Sequence, residues 1–249
     1  MLRSRGTTET VGSRIAHRAP ATPVAAPSGP GDTHGHHASA WLAPASRPWP
    51  AYPATVGEPV VVPSARDVRG TLDDPDRADC VVACPPHPDH GGSRSNPLLG
   101  AVSDVVDSAC LRFDYGPFDG GRGELRDVRA ALAWARDRHA DVSLFGYSFG
   151  GCLALVAAAV ESRAGRPPAA VGALAPVARL ADGVDAVAAA PDVDCPVGVV
   201  HGERDTTVDA AAVADSVREH GGRVETVAAD HFFVGQREAA VAPLVTILR

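Results

Sequence analysis

The chain has 249 residues and a formal net charge of −7, and all 23 basic residues are arginine, which excludes catalysis by a lysine amine. Residues 1–56 contribute +3 to this charge, so residues 57–249 carry −10, and we expect neither nucleic acid nor an anionic membrane among their partners. No stretch approaches the roughly 20 apolar residues of a membrane-spanning helix.

Residues 1–56 are rich in proline, alanine, serine and threonine and lack an apolar run of helical or strand period. Such a segment buries too little surface to offset the entropy of ordering it, so we expect a disordered leader followed by one domain at residues 57–249. Its arginine-rich, acid-poor start also resembles an organellar transit peptide, and sequence translated upstream of the native start is a third interpretation. His34, His36 and His37 offer adventitious metal ligands.

Short apolar strands alternate with helices from residue 57 onward. A hairpin is predicted at residues 58–62 and 67–72, followed by a central strand at 79–84. Asn96 is a typical helix N-cap with Pro97 in the first helical position. The next predicted elements are a strand at 110–114, a glycine-rich loop at 116–123 and a helix at 124–139.

The second half of the domain continues the same alternation. Strands are predicted at 141–145, 171–175, 197–201 and 224–228, and helices at 152–160, 208–220 and 237–248. Near-continuous apolar strands separated by helices predict an α/β fold, with a mostly parallel sheet covered by helices on both faces. Ligands in such sheets bind at the carboxyl ends of the strands.

The five cysteines lie in apolar strand or helix patterns rather than in loops; they are Cys80, Cys84, Cys110, Cys152 and Cys195. An odd number of thiols in such places indicates buried, free cysteines in a reducing compartment, and we expect a cytoplasmic protein. Cys80 and Cys84 share one face of a strand but lack a second pair to complete a tetrahedral site. We therefore expect no metal and no cofactor.

The segment Gly146-Tyr147-Ser148-Phe149-Gly150 places a serine between two glycines where an apolar strand meets an apolar helix. This is the G-x-S-x-G pattern of a nucleophile elbow. A sharp strand-to-helix turn strains the serine backbone, and side chains at the flanking positions would clash with neighbouring backbone. The elbow predicts Ser148 as a nucleophile and the Phe149 N–H, at the helix start, as an oxyanion donor.

A serine nucleophile requires a histidine oriented by a carboxylate, in the chain order Ser, Asp or Glu, His. Asp205 and His231 each directly follow a predicted strand downstream of Ser148, in this order. Glu203 and Asp209 are alternatives to Asp205, and Asp230 is a second candidate partner for the histidine.

The loop after the strand at 79–84 is the place where a second oxyanion donor is expected. Pro88 has no N–H, so the donor must be a neighbouring amide, and Asp89 is the first candidate and His90 the second. The alternative function of His87 and His90 is a zinc pair, although no third ligand falls nearby.

From about residue 60 to the end, the chain resembles small serine α/β hydrolases related to the dienelactone hydrolases. The resemblance lies in five motifs in order: Pro-His-Pro-x-x-Gly-Gly ending at Gly92, Leu-Arg-Phe-Asp-Tyr ending at Tyr115, Gly-Tyr-Ser-Phe-Gly-Gly at Ser148, His-Gly-Glu-x-Asp ending at Asp205, and Asp-His-Phe-Phe at His231. It implies an α/β-hydrolase fold with Ser148, Asp205 and His231 as the triad. The chain departs from the family where Gly116-Pro117-Phe118-Asp119 replaces an arginine-glycine turn. Dienelactone hydrolases proper use cysteine as nucleophile, so their substrate does not carry over.

The stretch between the elbow helix and Asp205 leaves no room for the long insertion that forms a lid in lipases. We therefore expect a shallow, open pocket for small or exposed acyl groups. Its predicted lining residues are His87, Phe118, Tyr147 and Phe232, whereas Phe149 and Phe233 are candidates for either the pocket or the core.

The leading functional hypothesis is a serine hydrolase of small carboxylic esters. Because the triad is indifferent to the leaving group, thioesterase, peptidase and acyltransferase activities stay open. A non-catalytic binding protein that recruits a partner through residues 1–56 is the alternative from a different class.

Overall fold

The computed structural model describes residues 57–248, and the predicted leader at residues 1–56, with the candidate metal ligands His34, His36 and His37, lies outside this range. The strands are β1 (Glu58–Val62), β2 (Val68–Asp73), β3 (Cys80–Cys84), β4 (Ala109–Asp114), β5 (Val142–Tyr147), β6 (Val171–Leu174), β7 (Arg179–Ala181), β8 (Val184–Asp185), β9 (Val197–Gly202) and β10 (Arg223–Val227). The helices are α1 (Pro97–Ser103), α2 (Arg122–Arg136), α3 (Phe149–Arg163), α4 (Ala186–Ala189), α5 (Ala210–Glu219) and α6 (Arg237–Leu248).

Eight strands form one sheet in the order β1-β2-β4-β3-β5-β6-β9-β10. The hairpin β1–β2 is antiparallel, β2 also runs antiparallel to β4, and every other neighbouring pair in this sheet is parallel. The predicted mostly parallel sheet is confirmed. Strands β3, β5 and β6 are buried along their whole length, because helices cover both faces of a parallel sheet.

Successive side chains of a strand divide between the two cores. Val82 and Cys84 of β3 pack in the larger core, to which α2, α3 and α5 contribute. Val81 and Ala83 pack in the smaller core with α1 and α6. The helices thus enclose the sheet from both sides, and the loops at the strand ends remain accessible.

Several element bounds differ from the sequence prediction for local reasons. Helix α3 begins at Phe149 rather than at residue 152. Its first turn was not predicted because it contains Gly150 and Gly151, and glycine has a low helix propensity. Helix α5 begins at Ala210 because the Asp209 side chain accepts a hydrogen bond from the Ala212 N–H, 3.2 Å away, as an N-cap does.

Elements β7, β8 and α4 were not predicted, because segments of two to four residues show no periodicity. They connect β6 to β9 and pack against the larger core through Val184, Ala186 and Ala189. This connection is therefore part of the folded body and not a lid over the carboxyl edge of the sheet. Between residues 57 and 248, no helix is long and apolar enough to cross a bilayer.

Candidate active site

Ser148 occupies a strained turn between β5 and α3. Its backbone has φ 56° and ψ −114°, a conformation that non-glycine residues rarely adopt. Its N–H donates to the Leu174 carbonyl at 2.8 Å, which ties the turn to β6. A Cβ at Gly146 would lie 2.1 Å from the Gly150 carbonyl oxygen, and one at Gly150 would lie 2.2 Å from that of Cys84. The predicted need for both glycines is confirmed.

The structure brings the side chains of Ser148, His231 and Asp205 together. The Ser148 Oγ lies 3.0 Å from His231 Nε2, and His231 Nδ1 lies 2.8 Å from Asp205 Oδ2. The carboxylate places the ring proton on Nδ1, which leaves Nε2 to accept the serine proton. Carboxyl ends of β5, β9 and β10 supply the three residues, and this arrangement can activate a hydroxyl as a nucleophile.

Asp205 is held by its own loop as well as by the histidine. Its Oδ1 accepts hydrogen bonds from the Thr207 and Val208 N–H groups at 2.9 and 3.2 Å, and its side chain is 3% exposed. Among residues 57–248, Asp205 supplies the one carboxylate hydrogen-bonded to the His231 ring, and the alternatives Glu203, Asp209 and Asp230 do not take this place. Asp209 caps α5, and Asp230 accepts from the Phe232 N–H at 3.0 Å.

Tyr147 supports His231 from behind instead of lining the pocket as predicted. Its hydroxyl donates to the His231 carbonyl at 3.0 Å, and the two rings stack with centroids 5.5 Å apart. Tyr147 is buried in the smaller core together with Phe145, because residues i and i+2 of a strand point to the same face of the sheet. Burial, with Asp205 and Asp230 nearby, raises the pKa of Tyr147 to about 12, so its hydroxyl stays a hydrogen-bond donor.

The two predicted oxyanion donors have different surroundings. The Phe149 N–H, at the start of α3, has no hydrogen-bond partner among residues 57–248, as expected for the first turn of a helix. The Asp89 N–H instead donates to His87 Nδ1 at 3.2 Å, within a single 3-10 turn at Pro88–His90. The His90 amide is also engaged, since it donates to the His87 carbonyl at 3.1 Å. The sequence prediction did not include these local hydrogen bonds.

Aromatic rings pack against His87 and His231. His87 lies between Phe118 and Phe149, with ring centroids 4.8 and 4.9 Å away, and Phe232 packs edge-on against His231 at 5.4 Å. Phe118 and Phe232 are 44% and 62% exposed, whereas Phe149 and Phe233 are buried core residues. Ser148 itself is only 8% exposed, so the nucleophile is more recessed than the predicted open pocket implies.

His87 and His90 stack on each other with ring centroids 4.4 Å apart. Burial and the neighbouring His90 lower the pKa of His87, which keeps its ring neutral and able to accept the Asp89 amide. Throughout the part of the chain that the structure describes, no group of three or more histidine, cysteine or acidic side chains is placed to hold a metal ion.

Sequence reasoning missed the charged residues behind the Phe118 loop. Glu124 and Asp127 are fully buried on α2 and face Arg66, from the turn between β1 and β2. The spacing of Gly121 and Glu124 is that of a capping box, and this was the one local signal in the sequence. Nothing in the sequence pairs Arg66 with residues some 60 positions away.

The chain is similar to known hydrolases in sequence and in fold. The model of the dienelactone hydrolase family matches residues 121–231, a range that contains Ser148, Asp205 and His231. Among curated proteins, none matches this chain.

Solved structures share the fold over most of their length. An α/β serine hydrolase homologue from Coxiella burnetii is 25% identical with a TM-score of 0.62, and the match covers 75% of this chain and 97% of that one. XC6422 from Xanthomonas campestris, an α/β serine hydrolase without a lid, is 24% identical over 79% of this chain and 94% of its own, with a TM-score of 0.62. Est1E from Butyrivibrio proteoclasticus is 18% identical over 76% and 96%, with a TM-score of 0.62.

Proposed function

We propose that this chain, an α/β hydrolase related to the dienelactone hydrolases, hydrolyses carboxylic esters through an acyl-enzyme on Ser148. The observation that carries the proposal is the unbroken hydrogen-bond sequence from Asp205 through His231 to Ser148, at 2.8 and 3.0 Å, built on a strained elbow. Esters are the proposed substrate class because the chain matches a family named for the hydrolysis of a lactone, which is a cyclic ester. Only this type of bond, and not the dienelactone itself, is carried over to the proposal.

In the proposed mechanism, Ser148 Oγ attacks the ester carbonyl while His231 Nε2 takes its proton. His231 then gives this proton to the departing alcohol, and a water attacks the acyl-enzyme with the same histidine as base. Asp205 holds the ring in the tautomer that leaves Nε2 free to accept, and it stabilises the imidazolium that forms. Tyr147 positions the histidine through the His231 carbonyl.

The Phe149 N–H is the first proposed oxyanion donor, because it is uncommitted and lies at the positive end of α3. The Asp89 amide is the proposed second donor. Its present bond to His87 Nδ1, at 3.2 Å, is at the long end of N–H hydrogen bonds. A developing oxyanion is a stronger acceptor than a neutral ring nitrogen, so the amide would transfer to it as the intermediate forms.

The proposed substrates are esters of small or exposed acyl groups. The connection between β6 and β9 packs in the core, and among the described residues it forms no lid that could enclose a long chain above Ser148. The exposed rings of Phe118 and Phe232, which pack against His87 and His231, provide apolar contact for the acyl group. Such a site favours a compact acyl group whose far end reaches solvent.

A fluorophosphonate probe tests the nucleophile directly. Wild type is expected to be labelled and Ser148→Ala to be unlabelled, with kcat on p-nitrophenyl esters lowered by about 10³-fold or more. Ser95→Ala is the matched control, because Ser95 is exposed and its hydroxyl, within the described part of the chain, hydrogen-bonds to Ser93 alone. Equal labelling of wild type and Ser148→Ala would refute the proposal. A panel of esters, acyl-CoA thioesters and peptide amides then compares leaving groups, and faster turnover of thioesters or amides would refute the ester preference.

A further inference from the structure

The loop that carries Phe118 to the mouth of the site is fixed from behind by buried charges. Glu124 and Asp127 lie in the first turns of α2, and both side chains are 0% exposed. Glu124 accepts hydrogen bonds from the Asp119 and Gly121 N–H groups, each at 2.7 Å. Asp127 accepts from the Gly116 N–H at 3.0 Å. Three backbone N–H groups between residues 116 and 121 thus donate hydrogen bonds to two carboxylates.

Arg66 supplies the countercharge for both carboxylates. Its Nε lies 3.0 and 3.1 Å from the two oxygens of Asp127, and its Nη2 lies 3.3 Å from Glu124 Oε1. The same Nη2 donates to the Pro117 carbonyl, directly before Phe118. A planar guanidinium can make these contacts at once, whereas an ammonium cannot.

Two glycines leave open the space that Arg66 occupies. A Cβ at Gly123 would lie 2.3 Å from the Arg66 guanidinium carbon, and one at Gly116 would lie 2.0 Å from the Arg66 carbonyl oxygen. The Arg66 turn is itself fixed, since the Arg66 N–H donates to Ser64 Oγ at 3.0 Å. We call Arg66, Glu124 and Asp127 the Arg66 cluster.

Phe118 connects this cluster to the reacting groups. Its ring packs against His87 at 4.8 Å and lies 6.3 Å from the ring of Phe149, the residue after the nucleophile. The ring is 44% exposed, so its position depends on the backbone as well as on ring packing. The backbone is held on either side of it, at the Pro117 carbonyl and the Asp119 amide.

We propose that Arg66 is a positioning residue for substrate selection: through Glu124 and Asp127 it holds Phe118 as the wall that contacts the acyl chain beyond the carbonyl carbon. The inference rests on the proposed ester hydrolysis at Ser148, and it adds a residue on the β1–β2 turn that touches no substrate. Loss of the cluster frees the loop and withdraws the wall while the triad keeps its geometry.

Four variants separate this function from general stability. Arg66→Lys keeps the positive charge that two buried carboxylates require but loses the fork. Phe118→Ala removes the wall and leaves the cluster intact. Arg66→Ala removes both charge and fork. Arg69→Ala is the matched control, because Arg69 lies close by on β2 and its one salt bridge within residues 57–248 is an exposed pair with Asp67.

Hydrogen exchange of the full-length variants tests the cluster without any need for activity. The amides of Gly116, Asp119 and Gly121 are expected to exchange at least about tenfold faster in Arg66→Lys than in wild type, since their acceptors lose a fixed position. Phe118→Ala and Arg69→Ala are expected to keep wild-type protection. Unchanged protection in Arg66→Lys would overturn the proposal, whether or not Arg66→Ala folds.

Kinetics on acetyl to octanoyl p-nitrophenyl esters test substrate selection. Arg66→Lys and Phe118→Ala are both expected to raise KM for the longer esters about tenfold, with kcat and the KM for acetyl ester close to wild type. Arg69→Ala is expected to stay within about twofold throughout. A loss of kcat on all esters alike would overturn the inference in favour of a purely structural role. If wild type turns over no ester, the proposed function and the selection role both fail, and the exchange result still decides whether Arg66 holds the loop.

Discussion

At the residue scale, hydrogen bonds fix the position of each side chain in the candidate site. One carboxylate oxygen of Asp205 accepts hydrogen bonds from amides of its own loop, and the other accepts from His231 Nδ1. His231 is held by this carboxylate at the ring and by Tyr147 at the backbone. The serine hydroxyl therefore meets a ring nitrogen that has a fixed position and a fixed tautomer. Preorganisation of this kind is what allows a hydroxyl of ordinary acidity to react.

The function of Asp205 can be tested with a substitution that keeps its shape. Asp205→Asn is expected to lower kcat on esters by roughly 10⁴-fold. The asparagine amide would donate to Nδ1 and leave the ring proton on Nε2, which could then no longer accept the proton of Ser148. Asp209→Asn is the control: Asp209 caps α5, and asparagine caps helices equally well. Steady-state kinetics check both. A loss of less than about tenfold in Asp205→Asn would contradict the assigned function.

At the element scale, the strand–turn–helix unit of β5 and α3 concentrates strain at one residue. The positive φ of Ser148 persists because the turn is enclosed by Gly146, Gly150 and the end of β3. In this unit the first turn of α3 comes close enough to β3 that backbone meets backbone. The same closeness places the free amide of Phe149 beside the loop that follows β3.

This packing predicts opposite effects for two glycine-to-alanine changes. Gly146→Ala is expected to lower the free energy of unfolding by more than about 3 kcal/mol, because its Cβ would lie 2.1 Å from the Gly150 carbonyl oxygen. Gly100→Ala, within α1, has nothing within 4 Å of its Cβ and is expected to raise stability by about 0.5–1 kcal/mol. Urea unfolding with a constant m-value measures both. A Gly146→Ala midpoint at or above that of wild type would contradict this account of the elbow.

At the scale of the whole molecule, the sheet brings distant segments together at one edge, and most of the cysteine side chains are buried. The parallel strands β5, β9 and β10 end side by side in the sheet or one strand apart, so residues 148, 205 and 231 meet. The cysteines lie inside instead. All five are free, four are buried and Cys195 is half-buried. The proposed nucleophile is therefore the serine in the turn, and four of the five thiols are buried in the core.

The thiols are expected to be inert in the folded protein. Burial raises the pKa of Cys80 to about 12 and that of Cys152 to about 12, and it also raises the pKa of Cys84 and Cys110. Burial together with Asp194 raises the pKa of Cys195 to about 12. Because the thiolate is the reactive form, Ellman's reagent at a pH of about 8 is expected to titrate at most Cys195, slowly.

All five thiols are expected to react once the chain is unfolded in guanidinium, and Cys195→Ser is expected to abolish the slow reaction of the native protein. The count is complete because residues 1–56 contain no cysteine. Two or more rapidly reacting thiols in the native protein would contradict the burial of Cys80, Cys84, Cys110 and Cys152 in the core.

The sequence by itself determined the order of the main elements and the positions at which chemistry can occur. Apolar runs, the Asn96 cap and the glycines around Ser148 are local signals, and a parallel sheet brings residues that follow successive strands to one edge whatever the loops do. For this reason Ser148, Asp205 and His231 could be predicted together.

Only the tertiary structure decided what depends on contacts between distant segments. Packing in the smaller core places Tyr147 behind His231. The His87 ring accepts a hydrogen bond from the Asp89 amide. Arg66 contacts Glu124 and Asp127, which lie about 60 residues away in the chain. The physical reason is that local patterns specify backbone conformation and burial, whereas the partner of a buried charge or amide is fixed by the three-dimensional arrangement of segments that lie far apart in the chain.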